Sequence, residues 1–194
     1  MILMSLWGNQ GDSSLFTIQD MASMGGEAKN DDRIIVDEVD DAWNWLCAAG
    51  VRGECDEVHF LNDNAGLELA SDLFLSHYLL STGKVKSVTL NLKPYPFFVS
   101  DALPSDVTNT LERLAASTHE GMKRLSAEIS AHIAKGTLKL TGAGPLNNFL
   151  ASPEPMWCMG AEARKSLEKS TVTIAKGDLM YRKLLGKVAS LVRV

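Results

Sequence analysis

The sequence predicts a doubly wound, three-layer α/β domain in which a mainly parallel sheet carries helices on both faces. Short apolar runs alternate with longer segments of helical periodicity along its 194 residues, which is typical of strands joined by crossover helices. The clearest succession is an apolar run at Val58–Leu61, a helical pattern over Leu67–Leu80 and a second run at Val85–Leu92. It predicts a right-handed βαβ unit. The length suits one domain, residues 1–194, with a sizeable core.

Six short runs, each rich in apolar or β-branched residues and bounded by polar residues, glycine or proline, predict the strands. In chain order they are Ile2–Trp7, Arg33–Val36, Val58–Leu61, Val85–Leu92, Leu138–Leu140 and Val172–Ala175. Residues 8–32 are polar and glycine-rich and predict a long loop between the first two. Two prolines within Lys93–Asp101 exclude a central strand there.

Apolar residues spaced three or four positions apart predict the helices. In chain order these segments are Asp37–Ala49, Leu67–Leu80, 106–134, Glu162–Lys169 and Leu179–Leu191. Gly50 and Gly83 are expected to end the first two, and Ser105-Asp106 is expected to cap the third. Gly121 favours a division of that third segment into two helices. Residues 145–160 contain three prolines and predict irregular structure.

Composition and charge exclude several classes of function. The formal net charge of −5 argues against a non-specific grip on nucleic acid or on anionic lipid. No apolar run is long enough to span a membrane, and the apolar start lacks the basic segment of a signal peptide. Three cysteines without zinc-ribbon spacing favour free thiols in a reducing interior. We therefore expect a cytoplasmic protein with neither nucleic-acid nor membrane partners.

The segment Asp63-Asn64-Ala65-Gly66-Leu67-Glu68 stands where a predicted strand ends and a predicted helix begins. Ligand crevices of open α/β sheets lie beyond the carboxyl ends of the strands. A helix N-terminus at that position offers free N–H groups to phosphate. Asp63 and Asn64 also supply the oxygen ligands that Mg²⁺ and Mn²⁺ prefer. The same residues suit an ordinary helix N-cap, so the segment alone supports both interpretations.

A second strand-to-helix junction carries Lys176-Gly177-Asp178 and the basic residues Arg182 and Lys183. Cationic side chains beside a helix N-terminus form a suitable phosphate site, although a capped helix with a solvated basic face explains the same pattern. Asp63, Asp101 and Asp178 each follow an apolar run, so the topology could bring three carboxylates to one sheet edge. Carboxylates around one divalent ion can hold a phosphorylated substrate through that ion.

Common catalytic motifs are missing from the sequence. Gly142-Ala143-Gly144 begins like a dinucleotide-binding loop, but Asn147 breaks the pattern, so it predicts a turn. The chain has no P-loop, no His-Glu-x-x-His spacing and no nucleophilic serine elbow. The four histidines are therefore expected in the core or on the surface.

Several motifs together resemble the metal-dependent damage-control phosphatases, in the branch that is also described as protein-glutamate (acidic residue) O-methyltransferases. The resemblance covers nearly the whole chain, and the order and spacing of the motifs agree with that branch. The motifs are Leu6–Asn9 with Asp12, Asp63–Glu68, Phe98–Asp101 and Lys176–Leu184.

The resemblance implies a phosphatase that binds Mn²⁺, Co²⁺, Ni²⁺ or Mg²⁺ and cleaves small phosphorylated metabolites such as fructose 1-phosphate or fructose 6-phosphate. It implies that Asp63, Asn64 and Asp101 hold the metal and that the two aspartates take part in catalysis. The residue pattern alone does not choose Asp101 over Asp106. Substrate-binding residues are expected as follows, Lys176 from the residue pattern and the others from the resemblance: Glu68, Lys176, Asp178, Leu179, Met180, Tyr181 and Arg182.

The chain departs from the family pattern in three respects. Met180 stands where the family usually has Asn, which removes one polar substrate contact. The helical N-terminal region and the C-terminal Arg-Thr-x-Lys segment of family members have no counterpart before Met1 or after Val194. We therefore expect an incomplete member that binds metal but turns over poorly. Two alternatives remain. One is a protein-glutamate O-methyltransferase, but the sequence has no glycine-rich nucleotide loop that would support it. The other is a non-catalytic binding module.

Overall fold

A four-stranded sheet lies at the centre of the computed structural model, which describes residues 36–53 and 55–186. Its strands are β1 (Glu57–Leu61), β2 (Ser87–Asn91), β3 (Leu138–Thr141) and β4 (Val172–Ala175). All neighbouring pairs are parallel, in the order β3-β2-β1-β4. The chain thus moves outward from β1 in one direction and returns to add β4 on the other side. This is the doubly wound parallel arrangement that the sequence predicts.

Helices connect the strands and cover the sheet on both faces. Within the described residues there are seven α-helices and one short 3₁₀-helix, Met156–Cys158. The α-helices are α1 (Val39–Val51), α2 (Leu67–Ser81), α3 (Pro104–Ala115), α4 (Glu120–Ala134), α5 (Pro145–Leu150), α6 (Ala161–Leu167) and α7 (Gly177–Leu185). No described helix combines the length and the apolar character needed to cross a bilayer.

Two apolar clusters fill the space between the sheet and its helices. Successive strand residues point to opposite faces, and Phe60 and Leu61 accordingly belong to different clusters. The larger cluster surrounds Phe60 and includes buried side chains from α1, α2, α3 and α4. The smaller one surrounds Leu61 and includes buried side chains from α5, α6 and α7. The three-layer architecture follows from this division.

Several helix ends differ from the sequence-based expectation. Helix α1 passes through Gly50 and ends at Val51, and the turn falls instead at Gly53, whose φ is +70°. Helix α3 starts at Pro104, because proline pre-sets the φ of the first helical residue. Asp106 is therefore not before the helix but inside it, where its carboxylate accepts a hydrogen bond of 2.8 Å from Leu103 N.

Three further expectations are corrected. The segment 106–134 does form two helices, but the break lies at residues 116–119 and Gly121 sits in the first turn of α4. Residues 145–160 are not wholly irregular, since Pro145 begins helix α5. The last described helix begins at Gly177, before the expected Leu179, and ends at Leu185.

Part of the sequence-based expectation lies outside the described residues. It comprises the strand Ile2–Trp7, the loop 8–32 and all of the strand Arg33–Val36 except Val36 itself, which is not in a strand. The strand predicted at Val172–Ala175 and the helix predicted from Leu67 agree with the structure.

Leu90 tests the larger cluster, because it lies in β2 and is fully buried. Leu90→Ala should lower the free energy of unfolding by about 2–5 kcal/mol, the usual cost of a buried leucine cavity. Urea denaturation followed by circular dichroism measures this change. Val99→Ala, at a fully exposed position, is the control and should change stability by no more than about 0.5 kcal/mol. Equal effects of the two substitutions would contradict the assignment of the core.

Candidate active site

The candidate site lies where the order of the sheet reverses, between β1 and β4. Helix α2 follows β1 and packs in the larger cluster, whereas α7 follows β4 and packs in the smaller one. The two connections therefore leave neighbouring strands toward opposite faces, which opens a crevice at the carboxyl edge of the sheet. Asp63 follows β1 at this edge, and Lys176 and Gly177 follow β4.

Two buried aspartates meet at this edge through a lysine that sequence reasoning missed. Asp63 and Asp101 are 2% and 3% exposed, and Lys93 is fully buried between them. The Lys93 Nζ lies 2.6 Å from Asp63 Oδ1 and 2.5 Å from Asp101 Oδ1. It also donates to the main-chain oxygen of Asp63 at 3.4 Å. Lys93 follows β2 by two residues. Its position just beyond the carboxyl end of a strand, which pointed to Asp63, could have pointed to Lys93 as well.

Main-chain hydrogen bonds join the connection after β1 to the connection after β2. Ala102 N donates to Asp63 O at 2.8 Å, and Ala65 N donates to Ser100 O at 2.7 Å. An isolated bridge pairs Asn64 with Asp101. The sequence-predicted metal ligands Asp63, Asn64 and Asp101 are thus brought together by backbone pairing as well as by their side chains.

The structure gives Asp101 and Asp106 different roles, which the residue pattern alone could not distinguish. Asp101 Oδ2 accepts a hydrogen bond of 2.7 Å from Phe98 N, so both of its oxygens have partners within the site. Asp106 instead serves the N-terminus of α3 through Leu103 N. Of the two, only Asp101 forms an ion pair with Lys93 within the described residues.

The carboxyl group of Asp63 is buried and lies in close contact with the start of α7. Burial raises the pKa of its carboxyl above the ordinary value, although the Lys93 ammonium opposes this shift. The start of α7 lies directly against it, since a Cβ on Gly177 would come within 1.8 Å of Asp63 Oδ2. Gly177 also has a φ of +79°, which favours glycine. The junction after β4 therefore requires glycine for two independent reasons.

A second buried ionic cluster adjoins the first. Glu68, in the first turn of α2, accepts a hydrogen bond of 3.1 Å from Asn64 Nδ2. The Lys176 Nζ lies 3.3 Å from Glu68 Oε1 and 2.6 Å from Asp72 Oδ1. Asp72 also accepts a hydrogen bond of 2.8 Å from Asn62 Nδ2. Asp72 was missed as well; its signal was the spacing of one helical turn from Glu68.

The predicted substrate-binding run along α7 divides by exposure. Asp178 and Arg182 are exposed and form an ion pair one helical turn apart, and the Arg182 guanidinium lies 5.5 Å from the centre of the Phe98 ring. Tyr181 is also exposed, whereas Leu179 and Met180 are buried in the smaller cluster. Only the polar side chains of this run, Asp178, Tyr181 and Arg182, are therefore accessible to a solute.

A cavity of about 650 Å³ opens beside the carboxyl edge, between α1, α2, β4 and α7. Its wall is mostly apolar, with Trp43 and Ile174 among the lining residues. Glu68, Lys176 and Asp178 line it as well. A cavity of this size can hold a small organic molecule, with charged groups on one part of its wall.

The residues present suit a hard divalent cation in their chemistry. Asp63, Asn64 and Asp101 offer carboxylate and amide oxygens, the ligand type that Mg²⁺ and Mn²⁺ prefer. In the ranges 36–53 and 55–186, no three His, Cys, Asp or Glu side chains form a metal-holding group, so a cation between Asp63 and Asp101 would need the Asn64 amide as a third protein ligand. Asn64 Nδ2 contacts Asp63 Oδ2 at 3.3 Å, and Asn64 Oδ1 accepts from the Ser100 hydroxyl at 2.7 Å.

Comparison with known proteins gives one consistent family. The chain matches the ARMT1-like domain of damage-control phosphatases over residues 1–191. It is 30% identical over 197 residues to the damage-control phosphatase ARMT1 of Danio rerio, covering 96% of this chain and 43% of that protein. The Homo sapiens and Rattus norvegicus proteins of the same name are 28% and 29% identical, over 96% of this chain and 44% of each relative. The chain therefore spans less than half the length of these curated relatives.

Gly177 provides a test of the contact between α7 and Asp63. Gly177→Ala should cost about 1–2 kcal/mol for the positive φ and about 1–3 kcal/mol more for the overlap with the Asp63 carboxylate. Gly136→Ala is the matched control, because Gly136 has a φ of +72° but nothing within 4 Å of an added Cβ. Urea denaturation of both variants measures the difference. Equal losses would show that α7 does not press against Asp63.

Proposed function

This chain belongs to the ARMT1-like damage-control phosphatase domain family, and on that premise we propose that it is a metal-dependent phosphatase of small phosphorylated metabolites. Sugar phosphates such as fructose 1-phosphate and fructose 6-phosphate are the proposed substrates, and Mn²⁺, Co²⁺, Ni²⁺ or Mg²⁺ is the proposed cofactor. The observation that carries the proposal is the meeting of Asp63, Asn64 and Asp101 at the switch point of the sheet.

Asp63, Asn64 and Asp101 would hold the metal at this edge. When bound, a divalent ion of this kind polarises a phosphoryl oxygen and offsets the charge that develops in the transition state. The protein contributes fixed positions: Asp101 is held by Phe98 N and Lys93, and Asp63 by Lys93. Such fixed ligands need no rearrangement as the reaction proceeds, which favours electrostatic stabilisation.

The substrate phosphate would lie at the N-terminus of α7. That helix begins at Gly177, beside Asp63, and helix N-termini offer free N–H groups and a partial positive charge to anions. Arg182 adds a guanidinium one turn farther along, suited to phosphate oxygens. In the hydrolysis a bond forms from the nucleophile to phosphorus while the bond from phosphorus to the ester oxygen breaks. If water beside Asp63 is the nucleophile, one displacement suffices, and a water proton goes to the leaving oxygen. If Asp63 is the nucleophile, the leaving oxygen takes a proton from solvent, and water then cleaves the resulting acyl phosphate in a second displacement that restores the carboxylate.

The non-phosphate part of the substrate would extend toward the cavity beside α2 and β4. Glu68 lines that cavity and is almost fully buried, so it can accept hydrogen bonds from sugar hydroxyl groups in a partly desolvated setting. The apolar part of the wall would contact the carbon skeleton. This division is common in small-molecule sites, where few polar groups fix the orientation.

The metal ligands can be tested with isosteric variants. Asp63→Asn and Asp101→Asn each remove a negative charge, so we expect Mn²⁺ affinity to fall by at least about 100-fold, since even residues behind the ligands typically change it about 10- to 100-fold. Calorimetric titration and the rise in melting temperature on adding Mn²⁺ both report binding. Phosphate release from fructose 1-phosphate, with Mn²⁺ and with EDTA, reports activity.

Asp106→Asn is the matched control for these two variants. Asp106 serves the N-terminus of α3, so its loss should change stability without changing the response to Mn²⁺. The assignment of ligands is wrong if all three variants bind Mn²⁺ like the unmodified chain. The phosphatase proposal is wrong if the unmodified chain binds Mn²⁺ yet releases no phosphate from any sugar phosphate.

Arg182 tests the phosphate-binding end of the site. Arg182→Gln removes a charged donor, and hydrogen bonds to charged groups contribute about 1.5–3 kcal/mol, so KM for the phosphorylated substrate should rise about 10- to 100-fold. Mn²⁺ affinity should not change. Arg124→Gln, at an exposed position on α4, is the control. A KM equal in both variants would exclude Arg182 from substrate binding.

A further inference from the structure

We propose that Lys93 is a positioning residue of this site, whose ammonium fixes Asp63 and Asp101 relative to each other so that the two carboxylates act as one unit. The proposal rests on the proposed function, because it assigns Lys93 a role in the same metal-dependent reaction. It would act through the two carboxylates and would not itself touch the substrate.

The contacts of Lys93 support this role. Its side chain is fully buried, and its three N–H donors have three oxygens within reach: Asp63 Oδ1, Asp63 O and Asp101 Oδ1. These oxygens belong to two different connections, one after β1 and one after β2. A single ammonium therefore ties together the two segments that carry the candidate ligands. An ammonium has no further N–H to offer, so these contacts use its whole donor capacity.

The loops themselves do not need Lys93 to stay together. Two main-chain hydrogen bonds already join them, from Ala102 N to Asp63 O and from Ala65 N to Ser100 O, and a third, from Lys93 N to Ala102 O, lies within the connection after β2. The side chain of Lys93 adds contacts to the carboxylates in particular. Without it, two buried carboxylates would face each other with no cation from the protein between them, and like charges at short range repel.

Lys93 also selects which carboxylate oxygens remain for other partners. It takes Oδ1 of both aspartates, which leaves Asp63 Oδ2 beside Asn64 Nδ2 and the start of α7. With Lys93 present, the two aspartates retain one net negative charge, which attracts a divalent cation. With a divalent cation bound, the cluster would carry a net positive charge and would favour a phosphate. The same lysine thus contributes to ligand geometry and to the charge that the substrate meets.

The test compares Lys93→Met and Lys93→Arg in the full chain. Lys93→Met should weaken Mn²⁺ binding by about 10- to 100-fold, as expected for a residue that orients metal ligands. Lys93→Arg keeps the charge, but its planar guanidinium cannot direct three donors as an ammonium does. It should fold, bind Mn²⁺ about 10-fold more weakly and lower kcat with a smaller change in KM. Calorimetry measures the binding, and phosphate release measures the kinetics.

Lys183→Met is the matched control for loss of a buried lysine. Lys183 is 1% exposed and donates to main-chain oxygens of Ser152 and Glu154, at 2.7 and 2.8 Å. Its removal should lower the melting temperature without the loss of Mn²⁺ affinity. The double variant Lys93→Met with Asp101→Asn should recover melting temperature relative to Lys93→Met, since the repulsion is removed, but should not recover Mn²⁺ affinity.

The outcomes separate the two proposals. Folded Lys93 variants that bind Mn²⁺ as tightly as the unmodified chain, or more tightly, would overturn the positioning role, as would equal losses of Mn²⁺ affinity in Lys93→Met and Lys183→Met. If Lys93→Met does not fold, Lys93→Arg decides by the same two measurements. If the unmodified chain binds Mn²⁺ but releases no phosphate, the proposed function fails, whereas a loss of Mn²⁺ affinity in the Lys93 variants would still support the positioning role. An unmodified chain that binds no Mn²⁺ overturns both.

Discussion

Two carboxylates buried at the carboxyl edge of a parallel sheet require a cation between them, and Lys93 meets that requirement here. Moving an isolated carboxylate out of water costs several kcal/mol even after the protein relaxes, and Asp63 and Asp101 are both nearly inaccessible. Removing one partner of such a buried pair typically costs about 3–5 kcal/mol. The two carboxylates therefore depend on Lys93 for their burial, while main-chain hydrogen bonds hold together the two connections that carry them.

The topology of the sheet explains why this cluster faces open space. Because β4 returns to the far side of β1, the helices that follow these two strands pack on opposite faces. The crevice between them is lined by Asp63 on one side and by the start of α7 on the other. Gly177 allows the two to come into contact, since any Cβ there would overlap the Asp63 carboxylate. A helix N-terminus and a buried carboxylate thus share one small volume, which suits the proposed binding of an anionic substrate beside a cation.

Local sequence signals sufficed for most of the fold but not for the partners within the site. The strand Val172–Ala175 and helix α2 were predictable because apolar runs and their glycine or polar boundaries are local features. The helix boundary predicted at Gly121 was wrong because α4 tolerates a single glycine in its first turn. The break between α3 and α4 lies at residues 116–119. Asp63 and Asn64 could be selected because they stand just beyond the carboxyl end of a predicted strand. Lys93 and Asp72 were missed because their roles depend on contacts with residues distant in sequence, such as Lys176 with Asp72.

The two cations on the β4 side of the site differ in how readily they can turn to a phosphate. Lys176 is paired with Glu68 and Asp72, both nearly inaccessible to solvent. Withdrawing it would leave buried carboxylates without their cation, at the cost of a broken buried pair. Arg182 is paired with Asp178 at the surface, where both side chains are more than half exposed, and such pairs contribute about 0–1 kcal/mol. Exchange of Asp178 for a phosphate would therefore cost Arg182 little. The proposed phosphate contact suits Arg182 and the start of α7 better than Lys176, which is held beside the cavity by its contacts with Glu68 and Asp72.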